Sequence, residues 1–420
     1  MERLIFHVDV NSAYLSWEAV RHLARTGVDL RSIPAAVGGS REKRTGIILA
    51  KSIPAKKLGI KTGEPVSMAL RKCPDLFLAK PDFRLYARNS RAFMDICRLY
   101  APVLEKFSID ECFLDMTGTA LLYPDPIQIA HTIKDHIHRE LGFTVNIGIG
   151  ENKLLAKMAS DFEKPDRVHT LFRREIPEKL WPLPVSELFM TGQATAQRLE
   201  KINIRTIGEL AAAGVPTLTS LFGPKHGAQL CARARGEDDS PVLAVPEEAK
   251  GYSISTTLEE DVTTTEEAKR ILLALSDSVA ARMRADGAKC ACIAVTIRAN
   301  DFKNHSKQET LCLSTDGTME VYAHTCRLFD ALWDKKTPLR LLGVSLTQLC
   351  REEGGQFSFL QDEKRIKEEQ IDKTVDTIRA RFGTESVMRG TVYKSPIDVG
   401  RKYKAQMEGG CKKSSERKKT

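Results

Sequence analysis

No apolar run in the 420 residues approaches the about 20 that a membrane-spanning helix needs. That argues against a transmembrane anchor. The opening stretch, Met1 to Asp9, lacks the long apolar core of a secretory leader, so the expected location is the cytoplasm. Zinc-binding spacing is missing too: the 10 cysteines are scattered, and Cys290-Ala-Cys292 has too short a gap for a zinc knuckle. Scattered thiols fit a reducing compartment, and Cys73, Cys97, Cys112 and Cys231 read as small buried apolar residues. His131, His136 and His138 share a helix-like stretch, but His131 and His138 have no Glu or Cys partners at metalloprotease spacing, so the three read as a solvated helix face. Neither sign of charge dominates: 64 Lys and Arg stand against 55 Asp and Glu, a formal net charge of +9. The excess suits a polyanionic partner without establishing one.

What is present is ordinary globular material, 42% hydrophobic and 28% charged. At roughly 100–200 residues per domain, two to four domains are expected. Leu4 to Val8 reads as a buried strand running into Asp9, and a helix follows from about Ser12 to Arg25, closed by Gly27. The segment Gly39 to Lys72 is basic and broken by Gly-Gly and Ile-Pro-Ala; a solvated face explains it as well as a binding surface does. Tyr86 to Tyr100 has helical spacing. Val103–Phe107 and Cys112–Met116 read as a hairpin around Ser108-Ile109-Asp110-Glu111. A helix Pro126–Glu140, a strand Thr144–Ile149 and a helix opening near Asn152 complete the set. Strand, helix, strand, strand, helix, strand is the ferredoxin-like order, here with the basic segment inserted after the first strand. Pro182 to Gly236 is short-helical, and Leu199 to Leu210 within it resembles a helix-hairpin-helix unit, with turns at Gly192 and Asn203. Asp238 to Lys250 reads as a linker. A second βαββαβ set follows, with strands near 253–258, 291–299, 309–314 and 341–349 and helices near 264–285 and 317–334. From Arg351 the chain reads as a charged tail whose last residues, 409–420, are expected to be disordered. The fold class is α+β, multidomain.

Asp9 ends the first strand, and Asp110 and Glu111 sit at the bend of the hairpin. In a ferredoxin-like sheet these are central neighbours, so three carboxylates are expected at one edge. Such acids repel and raise one another's pKa unless divalent cations neutralise them. Oxygen-only ligands favour Mg²⁺ over zinc. Two such ions ~3.5–4 Å apart can activate a 3′-hydroxyl and stabilise a leaving pyrophosphate. Residue types alone leave equal room for three unrelated surface acids.

His7-Val8-Asp9-Val10-Asn11-Ser12-Ala13-Tyr14 and Phe107 to Asp115 resemble the two signature motifs of bacterial Y-family translesion DNA polymerases. The resemblance continues through Val145 to Asp161 and Lys164-Pro165-Asp166, and covers roughly residues 1–350. It implies a right-hand polymerase: a ferredoxin-like palm (1–16 and 80–170), small fingers (17–79), a helical thumb (171–238), a linker (239–250), a βαββαβ little finger (251–352) and a C-terminal tail (353–420). By the same resemblance Asp9 and Asp110 bridge two Mg²⁺ ions, Glu111 holds the one that activates the primer 3′-hydroxyl, and the Val10 carbonyl touches the nucleotide-side ion. Tyr14 matches a steric gate, a ring under the sugar that leaves no room for a 2′-hydroxyl; its bland alternative is a core aromatic. Lys157 matches a lysine that contacts the incoming triphosphate; its alternative is a solvated helix lysine.

Some positions depart from the pattern. Ile53 and Lys56 stand where many relatives carry Tyr and Arg over the triphosphate. Lys56 offers charge without a bidentate fork, and Ser52 is expected to help. Asn11 stands where an acid is common. The hairpin Phe189 to Gln193 keeps one glycine, Gly192, where relatives often have two to grip DNA phosphate. In the second βαββαβ set Arg298, Lys303 and Lys307 flank the middle strands and are the expected DNA contacts. Gln356-Phe357-Ser358-Phe359-Leu360 resembles the peptide by which bacterial polymerases bind the sliding clamp, with Gln356 for register and Phe359 and Leu360 as anchors. An apolar turn packed on the little finger is the alternative.

The expected function is template-directed DNA synthesis across damage, without proofreading. Its partners are primer–template DNA, dNTP and the sliding clamp, and the expected state is a monomer off the membrane. The competing reading is a lapsed relative that bridges clamp and DNA, against which the full Asp9, Asp110, Glu111 set argues. A palm-type nucleotide cyclase explains neither the thumb-like hairpin nor the clamp-like peptide.

Overall fold

The apolar run at the N-terminus becomes β1 (Ile5–Val10), buried at all six positions as a central strand should be. In the computed structural model, which describes residues 3–39, 46–351, 363–384 and 386–392, β1 lies at the centre of a five-stranded sheet. Its neighbours are β5 (Val103–Lys106), β6 (Glu111–Asp115), β7 (Val145–Gly150) and β8 (Val168–Leu171), in the order β5-β6-β1-β7-β8. β1 is antiparallel to both β6 and β7. Strand alternation then divides its side chains. Phe6, Val8 and Val10 enter a core with Trp17 of α1 (Ala13–Thr26), Tyr86 and Phe93 of α4 (Phe83–Arg98) and Ile133 of α5 (Pro126–Leu141). The alternate residues Ile5, His7 and Asp9 face α6 (Lys153–Asp161). α4 begins three residues before the expected start at Tyr86, because Asp82 caps it by accepting from the backbone N–H groups of Arg84 and Leu85.

The basic insertion folds as a small sheet, β3-β2-β4, from β2 (Ala35–Gly38), β3 (Ile48–Lys51) and β4 (Phe77–Ala79), with the short helices α2 (Ile53–Lys57) and α3 (Val66–Lys72). Ala36, Ile48, Ile60 and Val66 form its core, and Lys56, Lys57, Lys61 and Arg71 lie outside in solvent. The helical stretch comprises α7 (Gln193–Glu200), α8 (Ile207–Ala212), α9 (Val215–Phe222) and α10 (Pro224–Ala234). Asn203 takes the turn between α7 and α8 with φ 61°, and Thr206 and Glu209 close a capping box on α8. Leu199, Ile207 and Leu210 pack with Leu155 and Met158 of α6. The linker expected from Asp238 is a strap over its first residues: the Asp238 carboxylate accepts from Leu154 N–H, and Val242 is buried with Ile5, Phe113 and Ala156.

The described residues from Glu248 on form a second compact unit. β9 (Gly251–Val262), β10 (Lys289–Ala299), β11 (Asn304–Thr315) and β12 (Leu339–Cys350) form an antiparallel sheet in the order β11-β10-β12-β9. One face is covered by α11 (Thr265–Ala285) and α12 (Thr318–Leu332), around Ile271, Val279, Ile293, Phe329 and Val344. The outermost strand, β11, starts five residues before the expected 309, since an exposed polar edge shows no apolar alternation. The charged tail is corrected more sharply. It contains a helix, α13 (Glu363–Phe382), held by charge: Arg284 meets Asp372 and Asp376, and Asp277 meets Arg379 and Arg389. Its apolar stripe, Ile371, Val375, Ile378 and Phe382, is not the face that docks: Ile371 and Phe382 are exposed, whereas Asp372 is buried. Residues 352–362, and with them Gln356, Phe359 and Leu360, lie outside the described residues. Among the described residues, no helix is long and apolar enough to cross a membrane.

Candidate active site at the edge of the first sheet

Asp9 faces Glu111 directly across the β1–β6 register. The hairpin bend is drawn over the end of β1 by Val10 N–H, which donates to the Asp110 carbonyl at 3.0 Å. α6 approaches the sheet unusually closely because β7 offers glycine where they touch. A Cβ at Gly148 would stand 2.0 Å from the Ala156 carbonyl oxygen, and one at Gly150 2.8 Å from the Ala156 nitrogen. This contact brings Lys157 to Glu111 at 2.7 Å, to Asp161 at 3.3 Å and to Asp9 at 3.6 Å. The chain then turns, and Lys164 reaches Asp9 at 2.6 Å and Asp161 at 2.9 Å.

Burial pushes the pKa of Asp9 up, against the pull of Lys164 and Lys157. Burial likewise raises Glu111 against Lys157, with Asp9 and Asp110 adding to the rise. For Lys164 burial opposes the charge, but Asp9 and Asp161 outweigh it and hold the pKa up at about 12. Lys157 is also raised: burial opposes its charge, and Asp9, Asp161 and Glu111 outweigh that. Below them His7 is fully buried. Its pKa is pushed well down, by burial first and then by Lys157 and Lys164, so the ring is neutral. Its Nδ1 is 2.8 Å from Ser160 Oγ.

The expected meeting of three carboxylates is realised for two. Asp9 and Glu111 converge on the Lys157 ammonium, while the Asp110 carboxylate accepts from Ser108 Oγ at 2.6 Å. Among the described residues no three acidic, His or Cys side chains form a ready metal cage. The donors still fit a hard divalent cation in kind: they are all oxygen, and two of them already surround a positive charge.

Tyr14 sits on the first turn of α1, half-buried, stacked on Tyr86 with ring centroids 4.7 Å apart and planes at 28°. Burial, and then the charge of Asp110, raise its pKa. Tyr86 is fixed in turn by donating its hydroxyl to Glu18 at 2.9 Å. Ser52 is buried and engaged by backbone: it donates to the Ile33 carbonyl at 2.7 Å and accepts from Ala35 and Ala55 N–H, capping α2. Lys56 and Ile53 are exposed on that helix.

Gly192 is the N-cap of α7 at φ −75°, and the left-handed position of the hairpin falls instead on Met190, φ 64°. Open space lies where a Gly192 Cβ would be. The three basic residues of the second sheet do not share a face. Arg298 pairs with Asn304 across the strands, on the face away from the helices. Lys307 is opposite core residue Val295, on the helix-facing side, and Lys303 is in the turn, paired with Asp301 at 2.9 Å. Sequence reasoning missed Lys164 and Asp161 as members of the site. The Lys164-Pro165-Asp166 motif was visible, but its contact with Asp9 spans 155 positions.

Residues 8–161 match the impB/mucB/samB family, 249–359 match the C-terminal domain of that family, and 190–238 match the thumb domain of DNA polymerase-iota. DNA polymerase IV of Clostridium acetobutylicum is 42% identical over 393 residues, which is 93% of this chain and 98% of that one. DNA polymerase IV 1 of Bacillus subtilis is 36% identical over 400 residues, 93% of this chain and 94% of that one. Among solved structures, a Y-family DNA polymerase chimera of Dbh and Dpo4 matches with a TM-score of 0.72 at 22% identity, over 83% of this chain and 100% of that one. At that identity the likeness bears on the fold alone.

Proposed function

The chain belongs to the Y family of DNA polymerases, and from that premise we propose that Asp9, Asp110 and Glu111 form the centre at which it joins a nucleotide to a primer end. Its reaction is template-directed DNA synthesis from dNTPs, across damaged template as in its family. The observation that carries the residue assignment is the convergence of Asp9 and Glu111 on one cation, the Lys157 ammonium. Those two carboxylates, with Asp110 and the Val10 carbonyl, would hold two divalent cations, which we take to be Mg²⁺ because every donor is oxygen. When bound, these ions supply activation of the 3′-hydroxyl and charge neutralisation at the leaving pyrophosphate.

The chain's own side chains set the stage. Lys157 holds Asp9 and Glu111 side by side. Lys164 keeps 37% of its side chain exposed against 9% for Lys157. Lys164 is therefore the cation able to turn toward a triphosphate, the role that the family resemblance implies for Lys157. Lys56 adds charge from the exposed face of α2. The ring of Tyr14 bounds the sugar and disfavours a 2′-hydroxyl. Duplex DNA is held at the open backbone around Gly192 and by Arg298 on the open face of the second sheet. Residues 1–16 and 80–170 serve as palm, 17–79 as fingers, 171–238 as thumb and 251–352 as little finger. Gln356 to Leu360 is read, on its sequence, as a sliding-clamp ligand.

Primer extension in Mg²⁺ tests the assignment. Asp110→Asn keeps shape and removes charge, so extension should fall by orders of magnitude while primer–template affinity persists. A rate near wild type would take Asp110 out of the site.

A further inference from the structure

Behind Asp9, two buried side-chain amides join the end of β1 to the turn that carries Lys164. Asn11 Oδ1 accepts from Asp166 N–H at 2.9 Å and from Thr144 Oγ1 at 3.0 Å, and Asn11 Nδ2 donates to Asn146 Oδ1 at 3.0 Å. Asn146 Oδ1 also accepts from Arg167 N–H at 3.2 Å, and its Nδ2 donates to the carbonyls of Ser160 at 3.1 Å and Glu163 at 2.6 Å. The amide orientations follow from the partners. A backbone N–H only donates and a carbonyl only accepts, so neither side chain can be flipped without facing like against like. Both residues are buried, Asn146 completely.

The turn they hold is one that needs holding. Asp166 is left-handed at φ 63°, a conformation a non-glycine residue adopts at some cost. The two amides grip its backbone at residues 160, 163, 166 and 167, on both sides of Lys164. Lys164 in turn meets Asp9 at 2.6 Å. An acid at position 11 could accept from Asp166 but has no hydrogen to give Asn146. It would leave two acceptors facing each other in a buried place.

We propose that Asn11 and Asn146 are positioning residues that hold Lys164 at the active-site edge and thereby set the affinity for the triphosphate of the incoming nucleotide. The proposal rests on the reading of Lys164 as the triphosphate cation. The experiment separates the two. Full-length Asn11→Asp, Asn11→Ser, Asn146→Asp and Lys164→Ala are compared with wild type. dATP affinity is measured without turnover on a dideoxy-terminated primer opposite template T, alongside primer–template affinity and melting temperature. We expect each Asn variant to weaken dATP binding roughly tenfold, about what one misplaced hydrogen bond to a charged group is worth, with primer–template affinity unchanged. Because the amides act through Lys164, Asn11→Ser combined with Lys164→Ala should bind dATP no worse than Lys164→Ala alone. Asn11→Ser keeps a small polar side chain, so it carries the test if the acidic variants fail to fold. If Lys164→Ala binds dATP normally, the Lys164 reading falls and this proposal with it. If Lys164→Ala is weak but Asn11→Ser binds normally, only the proposal falls. Multiplying effects in the double variant, or a lowered melting temperature with normal dATP affinity, would reduce the pair to scaffolding.

Discussion

At the scale of single residues, the site depends on charges balanced in partial burial. Lys157 is the clearest case: its ammonium is the cation that Asp9 and Glu111 share. Lys157→Met would leave two desolvated carboxylates without it, and breaking such a buried pair costs about 3–5 kcal/mol. The variant should melt lower than wild type in EDTA, and the gap should narrow in Mg²⁺, since a divalent cation can take over the neutralisation. Thermal melts with and without metal check this, and a gap independent of Mg²⁺ would deny those carboxylates a metal. Tyr14 is fixed differently, by stacking on Tyr86. Tyr14→Ala should open space beneath the sugar and raise ribonucleotide use relative to deoxynucleotide use by a large factor. Single-nucleotide incorporation gives that ratio, and no change in it would return Tyr14 to the core.

At the scale of elements, the decisive contact is α6 against β7. Gly148→Ala would drive a Cβ to within 2.0 Å of the helix backbone, so α6 must lift and carry Lys157 away from Glu111. We expect a loss of stability at or above the about 1–3 kcal/mol typical of overpacking, together with loss of extension activity. Gly192→Ala meets open space at a negative φ and should stay within about 0.5 kcal/mol of wild type. Urea unfolding of the two variants side by side makes the comparison. α13 is the other element whose role is ionic. Arg284 has 8% of its side chain exposed, and Asp372 and Asp376 are its carboxylate partners on that helix. Asp372 also accepts from Thr318 N–H at 2.7 Å, capping α12, which has no side-chain cap of its own. Ending the chain at Arg351 should therefore lower the melting temperature of the second unit. An unchanged melt would make the helix an ornament.

At the scale of the whole molecule, a net charge of +9 spread over 420 residues makes DNA grip a matter of local surfaces. Binding should weaken steeply with salt, because phosphate contacts release counterions. The two faces of the second sheet should differ. Arg298→Glu lies on the open face and should weaken primer–template affinity, while Lys307→Glu, on the helix-facing side, should leave it nearly unchanged. Fluorescence anisotropy at two salt concentrations reads both effects, and equal losses would mean that the sheet's open face is not the contact.

The sequence by itself determined what local pattern can carry. The apolar run Leu4 to Val8 put Asp9 at the end of a buried strand, the hairpin pattern put Asp110 and Glu111 at a bend, and the two motifs together pointed to the family. Helix ends were legible at Gly27 and Asn152, where a cap is written in the chain, but the equally local Asp82 cap of α4 was passed over. Tertiary structure decided everything that rests on residues far apart in sequence. The glycines of β7 let α6 close in, which is why Lys157 and Lys164 reach Asp9. Ser52 was assigned to a backbone cap because three backbone groups surround it. Asn11, read as a missing acid, became one end of an amide relay whose other end is 135 positions away. α13 does carry an apolar stripe, Ile371, Val375, Ile378 and Phe382, yet it docks by the charged face beside it, and the partner of each charge is on another element. Periodicity reports which face of an element is apolar; it does not report which polar group waits on the other side.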